Sequence, residues 1–132
     1  MSSNSSVAVS MQYRAPGGTL VTPSITTLAP YNALAGGTID ISAGTASGVQ
    51  FALNFGSVAS PTGILIYNTN LYEMAVWAQG LSSTPFHIAS GGVFALAQPV
   101  SCTSVPMSAC TLVTTTAQVS AGSVDYVVLG DP

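Results

Sequence analysis

One histidine and four carboxylates are the groups in this chain that could do acid–base chemistry. A Ser-His-Asp arrangement would need His87 beside a serine and an acid. Serines are common enough that some fall near it by chance, and the strained G-x-S-x-G elbow that exposes a hydrolase serine does not occur. Gly44–Gly48 comes near that pattern but has the wrong spacing. His87 lies between Phe86 and Ile88, so on a strand it points away from the core. Paired carboxylates could hydrolyse glycosides. Asp40, Glu73 and Asp125 instead fall on three separate candidate strands, each at a polar position of the alternation, and read as solvent-face or interface residues. Asp131 lies in the tail. Zinc takes about four ligands, and Cys102, Cys110 and His87 do not make a convincing set. No glycine-rich phosphate loop precedes a helix. The expectation is no catalytic residue, no cofactor and no metal.

The same scarcity of charge decides which partners are open to the chain. Charged residues are 4% of the total, with a net charge of -3, and Arg14 is the one residue of the Lys/Arg type. An ordinary soluble domain carries roughly 25%. Nucleic acid is bound by clustered Lys and Arg that displace phosphate counterions, and an anionic membrane surface asks for the same. Neither partner is expected. Hydrophobic residues make up 48%, yet the longest apolar stretches, Gly63–Tyr67 and Gly91–Ala97, are far below the 18 or so residues of a spanning helix. Met1–Ser6 lacks a basic and an apolar region, so no secretory signal is expected. A surface with so little charge has little to hold its neighbours off. It is best explained as covered by copies of itself or by partner proteins.

The elements that position these residues read as strands. Long-chain helix formers are nearly absent, Ser and Thr form about a quarter of the chain, and glycines and prolines break it into short runs. Candidate strands are Val7–Tyr13, Thr38–Ser42, Val49–Phe55, Ile64–Asn68, Glu73–Ala78, Phe86–Ala89, Val93–Gln98, Thr111–Gln118 and Val124–Leu129. Ile64–Asn68 is continuously apolar and reads as a central strand buried on both faces. Asn68-Thr69-Asn70 reads as a tight hairpin loop to the strand at Glu73. Phe86–Ala89 and Val93–Gln98 flank a Gly91-Gly92 turn. Short strands near ten-residue spacing predict an all-β fold: one antiparallel β-sandwich, jelly-roll-like, with a barrel as the alternative.

Residues 14–37 differ. Pro16, Pro23 and Pro30 argue against a helix or central strands. The segment reads as a long loop over the sandwich or as part of an extended N-terminal arm. The domain organisation is therefore an arm over 1–37 and a sandwich over 38–132. Cys102 and Cys110 could close a short loop around Pro106 or remain two buried thiols; both readings stay open. Tyr67, Tyr72 and Trp77 gather around the expected hairpin, and aromatics on strands are more often core or interface anchors than sugar platforms. With Tyr13 and Arg14 they are the interface candidates. Arg14, if buried at an interface, would need a carboxylate such as Asp40 or Glu73 of the same or a neighbouring copy.

Over residues 49–132 the order of elements is distinctive. An aliphatic strand ending in Asn (Gly63–Asn68) leads to a second one (Met74–Gln79). Phe86–Gly92, an apolar strand, Pro99 and a valine-rich terminal strand ending at Gly130-Asp131 follow. This succession resembles the small β-sandwich structural proteins of tailed-bacteriophage virions, head decoration (cement) proteins in particular. The resemblance implies a non-enzymatic virion protein on the outer surface of a capsid, assembled in the host cytoplasm. It further implies a homotrimer whose N-terminal arm grips the major capsid protein. The same pattern fits tail or baseplate β-modules, where a receptor- or carbohydrate-binding role is the alternative.

Overall fold

The computed structural model describes residues 3–78, 84–97 and 109–132. Among these residues twelve strands are formed: β1 (Ser3–Ser10), β2 (Tyr13–Arg14), β3 (Leu20–Val21), β4 (Ser24–Tyr31), β5 (Ala33–Ile41), β6 (Gln50–Ala52), β7 (Ser60–Tyr67), β8 (Met74–Trp77), β9 (Phe86–Ile88), β10 (Val93–Ala97), β11 (Thr111–Thr114) and β12 (Gly122–Asp131). No helix occurs among the described residues. The chain is all-β, and every pairing is antiparallel.

Two four-stranded sheets form the body. The first runs β10-β7-β12-β5 and the second β6-β11-β8-β9. Alternation explains why they face each other. In β12, Val124, Tyr126 and Val128 are buried while Asp125 and Val127 are exposed. Ile64 and Ile66 of β7 and Ile41 of β5 join them from the first sheet. Met74 and Val76 of β8, Ile88 of β9 and Leu112 of β11 come from the second, and all belong to one cluster. Each fully buried aliphatic side chain in it contributes about 1.5–3 kcal/mol. This is the β-sandwich that the alternation predicts. The Tyr126 hydroxyl adds a polar tie at the edge of the core, accepting from the Asn54 amide (3.2 Å). In β12 the register with β7 shifts between Leu129 and Gly130. A Cβ at Gly130 would lie 2.2 Å from the Ser60 carbonyl oxygen, so only glycine lets the strands close there.

Residues 14–37, which the sequence leaves as a long loop or part of an extended arm, contribute β2, β3, β4 and the start of β5. β1 and β4 pair over their full lengths as a two-stranded ribbon, and β2–β3 forms a smaller hairpin at its tip. Pro30 sits inside β4, opposite Asn4. A two-stranded ribbon leaves half of its amides unbonded, so proline costs it no ladder hydrogen bond when it takes such a position. β5 starts at Ala33 rather than Thr38, so residues 33–37 belong to the sandwich. Gly36 and Gly37 are strand residues of β5. At Gly36 a Cβ would lie 2.8 Å from the Tyr126 carbonyl oxygen.

The expected hairpin at Asn68-Thr69-Asn70 is not one. β7 lies in the first sheet and β8 in the second, so residues 68–73 cross between sheets. The Gly91-Gly92 turn likewise links β9 in the second sheet to β10 in the first. One residue ties these crossovers together. Asn68 is fully buried, and its Nδ2 lies within 3.1 Å of the carbonyl oxygens of Tyr72, Ile88 and Ala89. Its backbone completes the clamp: Gly91 N donates to Asn68 O at 2.8 Å, and Asn68 N donates to Gly92 O at 2.9 Å. Asn70 is buried beside it and donates to Gln118 Oε1 at 2.6 Å. Gly122 gives Asn70 its room, since a Cβ there would fall 2.0 Å from Asn70 Oδ1. Among the described residues no buried side-chain polar atom lacks a partner.

Candidate functional site

His87, on β9 at the edge of the second sheet, does meet an acid. Its Nδ1 is 2.5 Å from Glu73 Oε1, which the loop before β8 delivers. Thr115 Oγ1 donates to the Glu73 carbonyl oxygen at 2.9 Å. Both members of the pair stand about half exposed on an open sheet face. The hydroxyl that completes a nucleophilic triad is missing from the hydrogen bonds His87 makes among the described residues. An exposed pair of this kind contributes about 0–1 kcal/mol. Of the remaining carboxylates, Asp125 accepts from Thr38 Oγ1 (2.7 Å) with Asp40 diagonally beside it, and Asp131 accepts from Asn32 Nδ2 (2.7 Å). Among the described residues no group of three His, Cys, Asp or Glu converges.

Cys110 is a free thiol, fully buried in the core. Burial pushes its pKa up to about 11, so it stays a neutral thiol near neutrality and is a poor nucleophile. Cys102 lies outside the described residues.

The outer face of the first sheet is the unusual surface. The registers stack three rows across it: Thr38, Asp125, Tyr67 and Val93; then Gly36, Val127, Leu65 and Ala95; then Leu34, Leu129, Gly63 and Ala97. Leu65 is 47% exposed and Tyr67 43%, and Leu34, Val93 and Val127 are exposed as well. This overturns the expectation that Ile64–Asn68 is buried on both faces. The strand is central, between β10 and β12, but only Ile64 and Ile66 face the core. Among the described residues, β4 of the ribbon packs against β7, β10 and β12 and Gly63 is buried on this side, while the apolar outer residues Leu65 and Tyr67 stay about half exposed. The ribbon borders this face, and Ala8 of β1 forms one wall of a groove of about 360 Å³ floored by Gly63, Leu65, Ala95, Val127 and Leu129.

The five interface candidates are distributed rather than joined. Tyr13 and Arg14 are exposed on the tip hairpin. Arg14 Nη1 donates to the carbonyl oxygen of Gly18 (3.1 Å) and meets neither Asp40 nor Glu73 in its own chain; Glu73 is held by His87. Tyr67 stands on the outer face of the first sheet. Trp77 follows Val76 on β8, so it faces outward from the second sheet, on the opposite side of the sandwich. Tyr72 is half-buried in the crossover, its hydroxyl accepting from the Val119 amide (3.2 Å). No single aromatic platform is built from Tyr67 and Trp77.

Sequence reasoning missed the exposed quartet Leu34, Leu65, Val93 and Val127, and the buried amides Asn68, Asn70 and Gln118. The first had a visible signal: an apolar run on both parities of a strand, in a chain with too few charges to solvate what the core leaves uncovered. No family model matches this chain, and no match is found among curated proteins or among solved structures.

Proposed function

We propose that this is a non-enzymatic structural protein of a virion, bound to the outer surface of a capsid as a cement or decoration protein. The observation that carries the reading is the exposed apolar part of the first sheet's outer face, Leu34, Leu65, Tyr67, Val93 and Val127, set in a chain with 4% charged residues. Large exposed apolar patches mark interaction surfaces. A protein that meets few ions on its partner needs few of its own. The ribbon supports the same reading. Among the described residues β1 and β4 pair only with each other, and a strand edge of a shell subunit can add to their outer edges through main-chain hydrogen bonds without side-chain charge. Binding to the assembled shell, and not to its free subunits, would stabilise the shell by mass action. The carbohydrate-binding alternative asks for clustered aromatics, and Tyr67 and Trp77 stand on opposite faces.

The test is co-sedimentation of the purified full chain with heads assembled from the major capsid protein of the same virion. The reading predicts saturable binding at a fixed ratio per head and a higher temperature of head disruption. Removing residues 1–20 should abolish the binding while the sandwich still folds. Full-length protein that stays in the supernatant contradicts the reading. A truncated protein that binds as tightly as the full chain removes the ribbon from it.

A further inference from the structure

We infer that the ribbon tip of one copy seats on the outer face of the first sheet of a second copy, with Arg14 against Asp125. This contact goes beyond the capsid reading, since it needs no shell. The two surfaces are complementary in charge and in polarity.

The tip is a defined shape. Ala15 N donates to Thr19 O (2.8 Å) and Gly18 N to Ala15 O (3.0 Å). Gly17 and Gly18 turn the chain with φ of 97° and 91°. Leu20 and Arg14 are cross-strand partners, so an apolar side chain and the cation share one side of the hairpin, about 5 Å apart. Leu20 is 51% exposed, and residues 11–20 are exposed or half-exposed throughout. The tip is therefore not docked on its own sandwich. Arg14 is the chain's single Lys/Arg residue, and its one side-chain hydrogen bond ends on a neutral carbonyl of its own turn.

The receiving face has matching features, a carboxylate with an apolar groove beside it. Asp125 is exposed, and Val127 follows it two residues along β12 on the same face, about 7 Å away. Val127 and Leu65 floor the groove that Ala8 borders. Asp40 lies diagonally beside Asp125, because Thr38 is the partner of Asp125 and Ser123 that of Asp40; it adds a second negative charge at that end of the face. Leu20 in the groove leaves Arg14 over Asp125. Asp125 accepts from Thr38 Oγ1 and Asp131 from Asn32 Nδ2, each at one oxygen, and Glu73 is engaged by His87; Asp125 is the one with a second carboxylate, Asp40, diagonally beside it. Tip and face are different surfaces of one chain, so the contact is head-to-tail. It closes into a ring or continues as a chain according to the rotation each contact imposes.

Sedimentation velocity of the full chain across a concentration series tests this, with R14E, D125R and the double variant R14E/D125R. Both positions are exposed, and thermal melts confirm that each variant is folded. The wild type should self-associate. Each single reversal sets like charges together and should weaken association about tenfold or more. The double variant should recover most of that loss. A wild type that stays monomeric throughout overturns the inference. So does R14E associating like the wild type, or a double variant no better than either single one; a partner other than a second copy would give the first of these.

Discussion

The sandwich corner and the outer face of the first sheet invert the usual partition of side chains. At the corner, Asn68, Asn70 and Gln118 are buried where water does not reach. On the face, Leu34, Leu65, Val93 and Val127 stand in water. The buried amides are tolerable because each polar atom is bonded, and their carbonyl and amide partners come from both sheet crossovers. The exposed aliphatics have no such compensation among the described residues. The first region specifies the fold of one molecule; the second is complete only when another molecule covers it. The comparison therefore separates residues whose loss unfolds the protein from residues whose loss leaves a stable but solitary monomer.

The largest way to break the corner is Asn68→Leu. It keeps the volume but strips the donor from the carbonyls of Tyr72, Ile88 and Ala89. Buried unsatisfied acceptors cost about 1–3 kcal/mol each, so a loss of roughly 3–5 kcal/mol is expected in urea unfolding, against a wild type whose total is of order 10 kcal/mol. Next in size is the effect of alkaline pH on the core. The Cys110 thiol has a folded pKa of about 11 against 9.0 when exposed. The unfolded chain releases its proton first, so stability is unaffected below pH 9 and falls as pH rises from 9 to 11, by roughly 2–3 kcal/mol. Cys110→Ala should remove that part of the slope, as read by unfolding free energies at stepped pH.

Leu65→Ser sharpens the other side of the comparison. On a half-exposed site it should change unfolding free energy by less than about 1 kcal/mol while weakening self-association, read by sedimentation. A loss of several kcal/mol would mean that Leu65 is part of the core. Smallest of all is His87→Ala, expected to shift the melting midpoint by no more than about 0.5 kcal/mol equivalent. An enzymatic activity lost in that variant would contradict the structural reading of the His87–Glu73 pair.

The β class and most strands were legible because period-two alternation is a local signal. Val124, Tyr126 and Val128 alternate with Asp125 and Val127, and the buried set follows directly. Connections were less legible. Asn-Thr-Asn carries the turn chemistry of a hairpin, and nothing local to residues 68–70 says that their partners are Ile88, Ala89 and Gln118, roughly 20 to 50 positions away. The ribbon was hidden for a related reason. Three prolines argue correctly against a central strand but say nothing against a two-stranded ribbon, where a bonded amide alternates with a free one. The uncovered face was half legible: the run from Ile64 to Tyr67 announces apolar side chains on both faces of a strand, but whether a second layer covers them is set by the whole fold. His87 facing away from the core was read correctly. Its pairing with Glu73 depends on the crossover that brings the loop before β8 beside β9, and sequence spacing does not reveal it.

The most direct test of the central claim, that the apolar face is where copies of this chain meet, is native mass spectrometry of the full chain over a dilution series. The account predicts an oligomer that gives way to monomer as the protein is diluted, with the transition moved to higher concentration by Leu65→Ser. A monomer at every concentration, the same for wild type and variant, would contradict it.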